Sequence, residues 1–159
     1  MLLIDGNNLI GSRIHSAASL SAARKTLLEE LAKFTRIKKK KVAVVFDGVP
    51  EISIADGSSY RSVKVFYGGE GSDADTRILK IVENQSNKAV LTVVTSDGAL
   101  SGAVKAYGVK IMKAGAFRNL LQEVEDVKER EDDFQVNDME KWMRYFGVDE
   151  SDDEEVSDE

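Results

Sequence analysis

The chain has 159 residues, 42% hydrophobic and 31% charged, a balance that suits one soluble domain with its own core. It has no cysteine, which excludes disulfides, thiolate zinc sites and a cysteine nucleophile. The net charge of −6 comes from one end: residues 149–159, DESDDEEVSDE, hold eight of the 28 acids and no base, so residues 1–148 set 20 acids against 22 bases, a formal +2.

Met1–Asp5 is a short apolar run followed by Gly-Asn-Asn, read as a strand and a turn. It is too short for a signal segment, and no stretch approaches the ~20 apolar residues that cross a bilayer. A cytoplasmic protein with no membrane partner is expected, a monomer by default. Leu20, Ala23, Leu27, Leu31 and Phe34 recur at helical spacing, with Ser19 or Ser21 as the expected cap. Lys41–Asp47 (KVAVVFD) has the near-continuous apolar character of a strand covered on both faces. Residues 49–62, with Pro50, form a long loop that holds at most a short strand at Glu51–Ile54.

Val63–Tyr67 is a third strand, closed by Gly68-Gly69. Ala74, Ile78, Ile81 and Val82 mark a helix, and Val90–Thr95 a buried strand that runs into Ser96-Asp97-Gly98. Leu100 and Val104 line a short helix that Gly108 is placed to end. Val109–Met112 is the last strand, and Phe117, Leu120, Leu121, Val124 and Val127 line the helix after it. Met139, Trp142, Met143 and Phe146 share one face of a final short helix, read as packing on the body. The expected organisation is a domain over residues 1–148 and a disordered acidic tail over 149–159.

Strands alternating with helices imply an α/β fold: a mainly parallel, five-stranded sheet between two helix layers. Ligands bind such sheets beyond the carboxyl ends of the strands, where the strand order reverses. Asp5, Asp47 and Asp97 each follow a strand, and Asp73 and Asp75 open the helix after the third strand. One rim therefore collects the acids. Crowded carboxylates raise each other's pKa values, and a cation relieves the crowding. Oxygen-only donors suit Mg²⁺ or Mn²⁺, which activate water and stabilise charge on a phosphate under attack. Each acid also has a local reading. Asp5-Gly6 and Asp47-Gly48 are turn pairs, Asp97 is a helix cap, Ser72-x-x-Asp75 resembles a capping box, and Asp73 can pair with Arg77.

The ordered segments DGNN (Asp5–Asn8), VVFDG (Val44–Gly48), SDADTRIL (Ser72–Leu79) and VTSDG (Val94–Gly98) resemble the NYN group of PIN-like nucleases, in particular its bacterial YacP-like branch. That branch includes ribosome-associated messenger RNA endonucleases. The resemblance covers about residues 1–125 and implies a PIN-like fold and metal-dependent RNA cleavage. On it, Asp5, Asp75 and Asp97 are the catalytic, metal-holding acids, and Asn8 orders the first of them. Asp47 and Asp73 are further candidate ligands. The family pattern Ala-Asp-Asp reads Ala74-Asp75-Thr76 here, one carboxylate fewer.

Candidate RNA contacts are Arg13, in a loop near the acids, Arg118, on the acidic rim, Tyr60 and Arg61, in the long loop, and Arg77, which can contact phosphate or pair with Asp73. The Lys38–Lys41 run falls at the opposite end of the sheet and reads as a solvated turn. His15 reads as a surface residue. The leading function is an Mg²⁺- or Mn²⁺-dependent endoribonuclease; the alternative is a catalytically weak RNA- or ribosome-binding module on the same fold. An aspartyl-phosphate phosphatase is disfavoured, because the first strand is followed by Asp5-Gly6-Asn7 rather than Asp-x-Asp, and no phosphate-binding glycine loop is present.

Overall fold

The computed structural model describes residues 1–11 and 17–127. The chain divides into two compact units, Met1–Val124 and Glu125–Glu159. Of the second, only residues 125–127 are described. Arg13, His15, the expected helix around Met139–Phe146 and the acidic tail lie outside the described residues.

The strands are β1 (Leu2–Asp5), β2 (Val42–Phe46), β3 (Ser59–Tyr60), β4 (Val63–Tyr67), β5 (Thr92–Val94) and β6 (Lys110–Met112). The helices are α1 (Gly6–Ile10), α2 (Ala17–Lys38), α3 (Ala74–Asn84) and α4 (Gly98–Ala106). Residues 114–127 are also helical and are called α5. The strands form one sheet in the order β3-β4-β2-β1-β5-β6. The pairs β1–β2, β1–β5, β2–β4 and β5–β6 are parallel.

The sheet thus has six strands, not five. The extra one, β3, is a two-residue antiparallel partner of β4 inside the long 49–62 loop. Glu51 and Ile54 form only an isolated bridge. The loop gives the exposed edge of β4 its hydrogen-bond partners: Val65 N–H donates to the Ser58 carbonyl, and the Val65 carbonyl accepts from Gly57 N–H. An edge left bare would invite pairing with another chain.

Strand periodicity sorts the core into two layers. Leu2, Ile4, Val44, Phe46, Val65 and Tyr67 pack with Leu27, Leu28, Leu31 and Phe34 of α2 and with Phe117 and Leu121 of α5. On the other face, Leu3, Val45 and Val93 pack with Ile78 and Val82 of α3 and Leu100 and Val104 of α4. Each large side chain buried this way contributes about 1.5–3 kcal/mol. The result is the three-layer α/β/α arrangement that the strand–helix alternation implied.

Local expectations fail at the first two helices. The segment after β1 forms the short helix α1 rather than a turn. Ser19 and Ser21 lie inside α2, which has begun by Ala17, so neither caps it.

The strand order fixes where a site belongs. The chain leaves β1 for β2 on one side and leaves β5 for β6 on the other. The neighbours β1 and β5 therefore flank the switch point, and their carboxyl ends open a crevice.

Candidate active site

Asp5 ends β1 and is 5% exposed. Its side chain caps α1, with Oδ1 accepting from Asn8 N–H at 3.4 Å. Its Oδ2 accepts from the Thr95 hydroxyl at 3.0 Å, a buried bond between the ends of β1 and β5. Thr95 Oγ1 in turn accepts from Asp97 N–H at 3.1 Å. Asp97 caps α4 through Leu100 N–H, at 2.9 Å. One hydroxyl thus joins the first and last acids of the rim.

Asparagines complete the frame. Asn8 Oδ1 accepts from Ser96 N–H at 2.8 Å, which fixes the β5 loop against α1. Asn7 Oδ1 accepts from Asp47 N–H at 3.0 Å, which fixes the end of β2. The Asp47 carboxylate accepts from Ala74 N–H at 2.6 Å and so anchors the first turn of α3. Asp73, not Ser72, is the α3 cap, accepting from Thr76 N–H at 3.0 Å and from its hydroxyl at 2.9 Å. Asp75 lies in the first turn of that helix. The cap reading holds for Asp97, while Asp5 caps a helix rather than making a turn and Asp73 replaces Ser72 as the α3 cap, so helix N-termini position these carboxylates.

The electrostatics show that the acids sense one another. Burial pushes the Asp5 carboxyl up to about 6; the Thr95 and Asn8 bonds oppose the rise, and the charges of Asp75 and Asp47 add to it. Burial also raises Asp75, helped by the charges of Asp97, Asp73 and Asp47. Asp73 is instead held below the usual carboxylate range by its bonds from Thr76. The structure brings Asp5, Asp47, Asp75 and Asp97 into one electrostatic cluster. As placed, however, no three acidic or histidine side chains among the described residues form a ready-made group for a metal ion. Much of their bonding capacity goes to backbone N–H groups. The donor chemistry, carboxylate oxygens throughout, fits a hard divalent cation.

The expected RNA contacts divide. Tyr60 ends β3 opposite Val63, level with the first residue of β2, and Arg61 follows in the turn, so both lie towards the amino ends of the strands and away from the acids; the Arg61 guanidinium is 5.7 Å from the Tyr60 ring centroid. Arg118 is exposed on α5, and its guanidinium lies beside Gly11 at the end of α1. Arg77 does not pair with Asp73. It donates to Asp56 at 3.2 Å and to the Tyr67 carbonyl at 3.3 Å, and it covers the Phe66 ring.

Sequence reasoning missed Asn7, Thr95 and Arg24. Arg24 is 6% exposed, binds Glu51 at 3.2 Å and donates to the Asp47 carbonyl. The signal was available: Arg24, Leu28 and Leu31 share the inward face of α2 by helical spacing.

A three-layer sheet with acids massed at its switch point defines a PIN-like α/β domain. The chain belongs to the YacP-like NYN domain family, whose sequence model matches residues 2–156. Membership is consistent with an RNA-cleaving nuclease domain. Among solved structures the chain is similar to a mutant of Rae1 (YacP) from Bacillus subtilis, at 28% identity over 94% of this chain and 85% of that one, with a TM-score of 0.62. A second crystal structure of Rae1 (YacP) from Bacillus subtilis matches at 24% identity, over 92% of this chain and 87% of that one, with a TM-score of 0.69; at that identity the likeness speaks for the fold. No curated protein matches the chain significantly. No helix among the described residues is long and apolar enough to cross a membrane.

Proposed function

We propose that this chain is an endoribonuclease that hydrolyses RNA phosphodiester bonds with Mg²⁺ or Mn²⁺, acting on messenger or ribosome-associated RNA. The observation that carries the reading is the gathering of acids at the carboxyl-end rim, where burial, with smaller effects of neighbouring carboxylates, raises Asp5 and Asp75. Carboxylates from four distant segments meet here, and perturbed acids gathered in a crevice mark a functional site. Asp5, Asp75 and Asp97 are the residues that would hold the ion, with Asp47 and Asp73 at its margin. The ion would supply Lewis acidity and a water of lowered pKa. Thr95 and Asn8 keep Asp5 and the β5 loop in register, and Arg118 and Arg13 are the proposed contacts to the strand beside the acids.

The test is RNA hydrolysis in Mg²⁺ or Mn²⁺ by wild type and Asp97→Asn. Asparagine caps a helix as well as aspartate does, so α4 survives while one charge is lost. Cleavage should fall by about 100-fold or more, the scale of losing one electrostatic contact to a transition state. Equal rates would remove the mechanism. Thr76, where the family pattern has a second acid, favours one other reading: an RNA- or ribosome-binding module with weak chemistry or none. Tight metal binding without turnover on any RNA would select it.

A further inference from the structure

A cavity of about 350 Å³ opens on the α2 side of β2 and β4, beside the acidic rim but apart from its carboxylates. We propose that it is a nucleobase pocket, taking one unpaired base of the RNA strand; this deepens the ribonuclease reading and rests on it. The volume lies at the lower end of the ~300–1,000 Å³ of small-molecule sites, room for one nucleotide-sized group.

The wall is built around a buried cation. The Arg24 guanidinium lies 5.1 Å from the Phe46 ring centroid and 5.6 Å from that of Tyr67. Glu51 answers its charge at 3.2 Å, and the Asp47 carbonyl accepts from Nη2. Its Nε is buried without an acceptor in the protein. Lys25 and Ser53 add polar groups at the mouth, Ser21 lines it while donating to Glu51 at 3.1 Å, and the half-buried Tyr60 adds an aromatic surface.

That mixture suits a base better than a phosphate. With Glu51 on Arg24, the field in the cavity is weakly cationic, whereas a phosphate site needs uncompensated charge. A base is flat and neutral, and it carries donors and acceptors along one edge, which aromatic and polar groups recognise together. The geometry also links pocket to acids. Asp47 gives its carbonyl to Arg24 and its carboxylate to Ala74, the residue before Asp75. Asp47 thus connects the pocket wall to the start of α3, where Asp75 lies.

The test is an NMR titration of amide shifts in the full chain with the four free nucleosides, and with ribose 5-phosphate as the anion control. Nucleosides should shift Lys25, Ser53 and Tyr60, and Ser53→Trp should weaken that binding at least tenfold. Ser53 is exposed, so the indole fills the cavity mouth without entering the core. Ser21→Trp, on the exposed side of α2, is the second blocking variant. Shifts from ribose 5-phosphate alone make this an anion site and overturn the proposal. So do no shifts at all, or nucleoside binding unchanged by both variants. Wild-type protein that binds nucleosides here yet cuts no RNA upholds the pocket and removes the nuclease reading instead.

Discussion

The Thr95 hydroxyl donates to Asp5 Oδ2 at 3.0 Å and accepts from Asp97 N–H at 3.1 Å, so one buried side chain spans the switch point between β1 and β5. Thr95→Val keeps the shape and removes both bonds. Asp5 then loses the largest influence opposing its rise, and its pKa should climb further. A buried acceptor left unpaired costs about 1–3 kcal/mol, readable by urea denaturation. The acid limb of the activity profile should move to higher pH. A variant with wild-type stability and profile would show that this hydroxyl does not govern Asp5.

The raised Asp5 also predicts a sign for pH-dependent stability. Its pKa goes from 3.8 to about 6 on folding, so the folded chain holds the proton more tightly than the unfolded one. The contribution is fully present below pH 3.8 and is lost as pH rises through about 6. The loss is at most about 3 kcal/mol at ~1.4 kcal/mol per pKa unit. In EDTA, Asp5→Asn should therefore gain on wild type between about pH 4 and pH 6, then hold that advantage. Added Mn²⁺ should restore wild type above pH 6 and leave the variant unchanged. The difference between the two proteins isolates this one group, and a difference flat with pH refutes the assignment.

How much of this was legible in the sequence depends on residue size and partner distance. The apolar runs at Val42–Phe46 and Val63–Tyr67 announce buried strands because every residue there is apolar or β-branched, apart from Lys64 on an exposed position. The two polar residues of β3 carry no such signal; only the neighbouring strand makes them a strand. The Asp5-Gly6 pair reads as a turn, because a five-residue helix is too short to show periodicity. The acids were legible because strand ends and helix starts share a rim in this topology. Thr95 and Asn7 were not, since their roles lie in bonds that reach 90 and 40 residues along the chain. Arg24 is hidden because a charged residue beside an apolar stripe reads as solvent-facing by type, whereas its phase with Leu28 and Leu31 on α2 points inward.

Gly68 ties the end of β4 to the start of α3. A Cβ there would meet the Asp73 carbonyl carbon and oxygen at 2.6 Å and the Ser72 oxygen at 2.7 Å, all backbone atoms that cannot rotate away. Gly68→Ala should cost about 1–3 kcal/mol, as overpacking does, and should lower activity by displacing Asp73 and Asp75. At Gly102, inside α4, a Cβ would meet nothing within 4 Å. Gly102→Ala should therefore stabilise by roughly 0.5–1 kcal/mol through helix propensity, with activity unchanged. Thermal melts and RNA hydrolysis of both variants separate a packing clash from a general intolerance of the fold.

Thr76 offers the most direct handle on metal binding. Its hydroxyl donates to Asp73 at 2.9 Å, and the residue follows Asp75 in the first turn of α3. Thr76→Asp removes that donor and restores the second acid of the family pattern. The added charge should raise Asp75 further, since neighbouring carboxylates already push it up. It should also deepen the negative potential that a cation sees. Mn²⁺ binding by calorimetry should tighten by roughly tenfold, equivalent to about 1.4 kcal/mol. An acid in the first turn interacts favourably with the helix dipole, which offsets part of the repulsion and keeps the folding cost small. Thr76→Ala loses the hydroxyl without adding charge and is the control. If both variants bind Mn²⁺ alike, the charge at this position does not reach the ion, and the metal cannot sit at the mouth of α3.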